Sequence, residues 1–176
     1  MATTTSEKTR QMVNAALCTA LLCVISPWSV VIGPVSLTLG VFGVFFAGAM
    51  LRPGYACLAV TAYIALGAMG LPVISNFRSG PAAVFGPTGG YLLAYPVMAL
   101  LLSLAKKRSR SLWLHAAAIG AALAVMYTLG TAWFMAVTGT GLAASLAYCV
   151  MPFMLPDAAK GAAALALAAA LQRRIR

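Results

Sequence analysis

An all-α membrane protein, a bundle of six transmembrane helices with both termini cytoplasmic, is the fold this sequence predicts, and three observations predict it. The chain of 176 residues is 62% hydrophobic and only 8% charged, with a mean hydropathy of +0.96. A soluble domain of this length cannot hide so much apolar surface, because its interior is too small a share of the whole. Six apolar stretches approach the ~20 residues that cross a bilayer, at about 11–31, 36–51, 54–70, 89–105, 112–137 and 153–172. Finally, the charges sit in short clusters between these stretches.

The first stretch follows ten polar residues that include Lys8 and Arg10. It is too long for a signal-peptide core and lacks a clear small-residue cleavage site, so it stays as a membrane helix. Gly33-Pro34 separates it from the second stretch, and Arg52-Pro53-Gly54 makes a tight helical hairpin of the second and third. A longer connection, residues 71–88, leads to the fourth; residues 106–110 and then Thr138-Gly-Thr-Gly141 punctuate the rest. Several spans are short, so tilt or local thinning of the bilayer accommodates them. A single domain over 1–176 suffices, with no linker or repeat.

The net charge of +10 invites a nucleic-acid reading, but no basic stripe interleaves with aromatics. Its distribution fits the positive-inside rule instead. With both termini cytoplasmic, Lys8, Arg10, Arg52, Lys106, Lys107, Arg108, Arg110, Arg173, Arg174 and Arg176 face inward, and only Arg78 faces out. The opposite orientation inverts that bias.

Several chemistries are excluded. The four cysteines, Cys18, Cys23, Cys57 and Cys149, have no metal-ligand spacing and read as small packing residues. His115 reads as an interfacial histidine with no second His or carboxylate beside it, so neither a metal site nor an acid–base pair is available. Gly86-Pro-Thr-Gly-Gly lacks the lysine of a phosphate-binding loop. No catalytic residue is expected, and the chain reads as a non-enzyme.

Only two acidic residues exist, and Asp157 lies inside an apolar segment with Lys160 one turn later. A charge at the centre of a membrane helix costs roughly 2.5–3.5 kcal/mol on insertion scales, so such residues are rare and usually functional. Pro156 suits the first helical position, and Asp157 after it favours the positive end of the helix dipole. In the predicted orientation this pair lies near the outer surface. There it meets Tyr91 and Tyr95, four apart at the start of the fourth span, with Thr88 and Gly89 just before them. Asn76 and Arg78 in the long connection, and Ser36 and Thr38 at the start of the second span, reach the same depth. Four pieces of chain thus converge on an outward-facing cavity capped by the 71–88 loop. Taken singly, each has a plainer reading: a structural ion pair, aromatic-belt tyrosines, an arginine on lipid headgroups. On the first span, Ala16 and Ala20 form a small-xxx-small pair, flanked by Ala15 and Thr19, suited either to packing within the bundle or to a partner helix.

These motifs resemble a known family. Gly33-Pro-Val-Ser-Leu-Thr38, Gly67-Ala-Met-Gly-Leu-Pro72, Gly86-Pro-Thr-Gly-Gly-Tyr91 and Pro156-Asp-Ala-Ala-Lys160, in this order over nearly the whole chain, are similar to the BioY family of biotin transporters. That family comprises the substrate-binding S components of energy-coupling factor (ECF) transporters. The resemblance implies six helices, a biotin site near the extracellular face, and a lid between spans three and four. Asp157, Lys160, Asn76 and Tyr91 match family positions, and Ala16-x-x-x-Ala20 matches its alanine motif for docking a transmembrane coupling subunit. Where many members carry a polar residue shortly after the Thr-Leu pair, this chain has Gly40.

The chemistry suits the ligand. Asp157 is placed to accept from the ureido N–H groups of biotin, and Asn76 to complement a donor or acceptor. Lys160 has three available partners, the ureido carbonyl, Asp157 and the valerate carboxylate; Arg78 is a further candidate for the carboxylate. Tyr91 and Tyr95 suit the ring. The resemblance further implies that two cytoplasmic ATPases power release inside, in a prokaryotic cell membrane. The readings set against it are an S component for another vitamin, a membrane scaffold, and a lipid-modifying enzyme.

Overall fold

The computed structural model describes residues 2–32, 35–109 and 111–174, excepting the side chains of 2–5. The Gly33-Pro34 break and the charges of Arg110 and Arg176 lie outside the described residues. Helix α1 runs Ala2–Ile25, so the polar residues 2–10 belong to the same helix as the apolar run. It stops sooner than the hydropathy predicts. Pro27 disfavours helix in the residue before it, and the β-branched run that follows forms an antiparallel hairpin, β1 (Ser29–Ile32) with β2 (Val35–Thr38). Ser36 and Thr38 therefore sit on a strand and not at the start of the second span, which is the first correction to the sequence reading.

Helix α2 (Gly40–Met50) has only eleven residues, about 16 Å at 1.5 Å per residue, well short of a bilayer core of ~30 Å. It is buried nearly all round and packs against α1, α5 (Gly89–Arg108) and α8 (Met154–Arg174). Gly48 permits a close approach of backbones: a Cβ there would lie 2.7 Å from the Ala99 carbonyl oxygen of α5. After the tight turn at Leu51-Arg52, α3 (Pro53–Ala68) starts with Pro53 at its first position, where the missing N–H costs nothing. The long connection is not bare loop. It holds a 3₁₀ turn, Ser75–Phe77, and a short helix, α4 (Pro81–Phe85). Helix α6 (Leu112–Thr138) packs along α5 and ends at Gly139, whose φ of 71° is the left-handed cap glycine adopts freely. A short helix α7 (Leu142–Cys149) precedes α8, an element that hydropathy did not separate. Helix α8 begins two residues before Pro156, which sits within the first turn and not at its first position.

Among the described residues, α5, α6 and α8 are long and apolar enough to cross a membrane, while α2 and α3 are apolar but shorter. The protein is an integral membrane bundle with two unlike ends. One is basic: Lys106 donates to the Ala49 carbonyl (2.7 Å) and to Gln172 (3.1 Å), tying the ends of α2, α5 and α8 together, and Arg52 pairs with Glu7. Lys107, Arg108, Arg173 and Arg174 are exposed there. His115, expected at an interface, is instead buried at this end, its Nε2 3.0 Å from the Ser109 carbonyl oxygen, because the turn between α5 and α6 folds over it. The hairpin, the 3₁₀ turn, α4 and the first turns of α5 and α8 make up the opposite end.

Candidate functional site

At the hairpin end a cleft opens between β2, α3, the 71–88 connection and the start of α5. Ser36, Thr38, Tyr63, Ser75, Arg78, Thr88, Tyr91 and Tyr95 give it polar groups, and Val35, Ile74, Ala83 and Leu92 give it apolar wall. The enclosed space is about 50 Å³, room for a few water molecules.

Most of these polar groups are held by a neighbour. Tyr91 and Tyr95, one turn apart on α5, are both buried and both line the cleft. The Tyr91 hydroxyl lies 3.2 Å from Thr131 Oγ1 on α6, and its ring rests on Gly130, where a Cβ would come within 2.2 Å of it. The Tyr63 hydroxyl donates to the Val73 carbonyl (3.2 Å). Arg78 reaches across the mouth, its guanidinium 3.4 Å from both the Ser75 carbonyl and Thr88 Oγ1.

Asp157 and Lys160 lie behind the cleft wall instead of lining it. Asp157 is 3% exposed. A carboxylate buried so deeply is tolerated only when paired and hydrogen-bonded, and both conditions are met. Lys160 Nζ donates to Oδ1 at 2.9 Å, and the Tyr127 hydroxyl of α6 donates to Oδ2 at 2.9 Å. Lys160 also donates to the Thr38 carbonyl at 2.8 Å. Thr38 is then the shared wall: its side chain donates to the Ser26 carbonyl and accepts from the Gly40 N–H, while its carbonyl binds the lysine of α8. The same crowding accounts for Gly40, since a Cβ there would lie 2.8 Å from Ser26 Oγ.

Two other candidates also stand apart from the cleft. Asn76 is exposed, and its Nδ2 donates to Ser36 Oγ (2.9 Å) while its N–H reaches Pro27 O and Ser29 Oγ (both 3.0 Å). It fastens the connection to the hairpin. Both Asn76 and Phe77 have φ of 57°, and for Phe77 that conformation is strained; its ring meets Trp28 edge-on at 6.0 Å. Gly89 faces α4, where a Cβ would come within 2.0 Å of the Val84 carbonyl oxygen. Its smallness serves packing.

Sequence reasoning missed Tyr63, Ser75, Tyr127 and Thr131. A signal existed for the last two: they are four apart in a mostly apolar helix, the same spacing that picked out Tyr91 and Tyr95. On α1 the two small-residue stripes separate. Ala15 and Thr19 face inward, with the Thr19 hydroxyl donating to Ala59 O of α3 (2.9 Å), whereas Ala16 and Ala20 are exposed beside Met12, Leu17 and Val24. Among the described residues no three His, Cys, Asp or Glu side chains gather to hold a metal.

Comparison with known proteins agrees with this architecture. The model of the BioY family matches residues 1–176. A probable biotin transporter BioY of Pyrococcus horikoshii is 39% identical over 165 residues, covering 94% of this chain and 98% of its own. The biotin transporter BioY of Thermotoga maritima is 43% identical over 123 residues, 69% of this chain and 72% of its own. The crystal structure of the S-component for biotin from an ECF-type ABC transporter superposes with a TM-score of 0.87 at 25% identity, over 96% of this chain and 93% of that one.

Proposed function

The chain belongs to the BioY family, and from that premise we propose that it is the biotin-binding S component of an ECF-type transporter. It captures biotin from outside a prokaryotic cell at the hairpin end and releases it to the cytoplasm with energy supplied by partner ATPases. The observation that carries this reading is the buried Asp157–Lys160 pair, bonded through Thr38 to the wall of a cleft that lies at the end away from the basic cluster.

Biotin offers two ureido N–H donors, one ureido carbonyl, an apolar thioether ring and a carboxylate. Asp157, behind the Thr38 wall, answers the donors once that wall shifts, Tyr91 and Tyr95 flank the ring, and Arg78 at the mouth suits the carboxylate. A site built on buried polar groups discriminates well, because an analogue lacking one group leaves its partner unpaired. The cleft as it stands is small, and in this reading the 71–88 connection moves to admit the ligand. That connection is held over the cleft by Asn76–Ser36 and Ser75–Ser29 contacts to the hairpin, and these are the bonds a lid would break and remake.

The chain crosses the membrane six times in this reading, with both termini inside. Helix α2 and the hairpin together provide the second crossing, and α1, α3, α5, α6 and α8 provide the others. The exposed Ala16–Ala20 stripe suits close approach of a helix from the coupling subunit.

The test is titration of radiolabelled biotin against detergent-purified, ligand-stripped protein, beside Asp157→Asn and Lys160→Ala. Saturable binding that both substitutions weaken by at least ~100-fold, on the scale of losing one partner of a buried charge pair, is the expected result. Absence of binding by the wild type overturns the biotin reading.

A further inference from the structure

We propose that Tyr127, which does not line the cleft, is a positioning residue for ligand capture and acts by fixing the Asp157 carboxylate. This rests on the biotin reading above. The carboxylate is gripped from two sides: Lys160 of its own helix holds Oδ1, and Tyr127 of α6 holds Oδ2, each at 2.9 Å. An ionised carboxylate has about four lone-pair directions, so one donor on each oxygen leaves one direction free on each. Two free acceptors at a fixed separation are what a ligand with two N–H donors requires.

The grip needs both hands. The terminal torsion of an aspartate is broad and has no strong preference of its own. Lys160 lies one turn along the same helix and shares its charge with the Thr38 carbonyl, so it restrains Oδ1 alone. Tyr127 comes from a different helix, and its bond to an ionised acceptor is of the stronger, charge-assisted kind. Helices α6 and α8 meet in few places, notably Ile119 against Gly161 and Tyr127 against Asp157. The phenol therefore fixes the acid relative to α6, which also steadies the cleft residue Tyr91 through Thr131. Tyr127 and Thr131 stand one turn apart, so a single helix face sets two parts of the site.

Tyr127→Phe removes one oxygen and keeps the ring. Biotin affinity is measured by the same titration for wild type, Tyr127→Phe, Asp157→Asn and the double variant, with a thermal unfolding curve for each. The expected result is a loss of roughly tenfold for Tyr127→Phe, in the range of a hydrogen bond to a charged group, with Tm within about 2 °C of wild type. The double variant matches Asp157→Asn within about threefold, because a residue acting through Asp157 has nothing left to position. The proposal is overturned if Tyr127→Phe binds like wild type, or if its full loss recurs on top of Asp157→Asn. Should the Phe variant melt early, Tyr127→Gln and Tyr127→Leu replace it. Gln retains an N–H donor, and its failure to bind at least about fivefold tighter than Leu overturns the proposal as well. A wild type that binds no biotin is a different failure and falls on the biotin reading.

Discussion

Gly130 decides where Tyr91 stands. The ring packs flat on that glycine, so close that a Cβ would intrude to 2.2 Å, and the hydroxyl then meets Thr131 of the next position. Gly130→Ala must push the ring into the cleft or away from Thr131. Overpacking of this kind costs about 1–3 kcal/mol, and the displaced ring lies in the wall that receives the ligand. The expected outcome is a lowered melting temperature and biotin binding weakened by about tenfold, the equivalent of ~1.4 kcal/mol. Gly120 supplies the control on the same helix. Nothing lies within 4 Å of its Cβ position, so Gly120→Ala only raises helix propensity, by about 0.5–1 kcal/mol. It leaves binding unchanged in the same titration. Asp157 and Lys160 were legible from sequence because an acid in an apolar run stands out and spacing three puts the pair on one face. Tyr127 was less so, since its spacing from Thr131 puts the two on one face without showing whether the phenol meets lipid headgroups or a buried acid.

The elements that position the site are the ones hydropathy reads least well. Residues 29–38 are as apolar as a membrane helix, and a window average reports depth without reporting conformation. The strand character lay in Pro27 and in the β-branched run of Val30, Val31 and Ile32. By contrast α5, α6 and α8 were legible because their apolar length matches a bilayer. The hairpin carries the fastening of the long connection, and Asn76 is the chief fastener. Its backbone lies at φ 57°, ψ 36°, a region asparagine tolerates better than most residues. Asn76→Gly keeps that backbone and removes the bond to Ser36; Asn76→Ala removes the bond and adds strain. Biotin dissociation measured by filter retention is expected to quicken in both, and further in Ala than in Gly. Equal wild-type-like rates in both mean that the connection is not a lid. On α1 the outward stripe makes a separate prediction. Ala16→Trp or Ala20→Trp leaves the inward Ala15–Thr19 face and biotin binding intact, and abolishes uptake into cells that hold the coupling module. Uptake that survives both substitutions removes this face as the docking surface.

At the scale of the whole molecule the two ends are chemically opposite, and which faces the cytoplasm determines what the cleft can do. The basic end gathers Arg52, Lys106, Lys107, Arg108, Arg173 and Arg174, and Lys106 with Gln172 closes it by binding the Ala49 carbonyl near the end of α2. The cleft end carries Arg78, itself spanning the mouth. Lys and Arg are retained on the cytoplasmic side, and the proposed orientation accordingly puts the basic end inside and the cleft outside. Because α8 runs from Asp157 near the cleft to Arg173 and Arg174 at the basic end, fixing one terminus fixes both. A green fluorescent protein fused after residue 176 should fluoresce, since it folds only in the cytoplasm, and alkaline phosphatase at the same point should be inactive. Phosphatase inserted after Ser79, in the exposed connection beside the cleft, should be active. The reverse pattern places the cleft on the cytoplasmic face, where capture of an external solute is impossible however tightly the purified protein binds biotin. Binding and orientation are thus independent requirements, and uptake needs both.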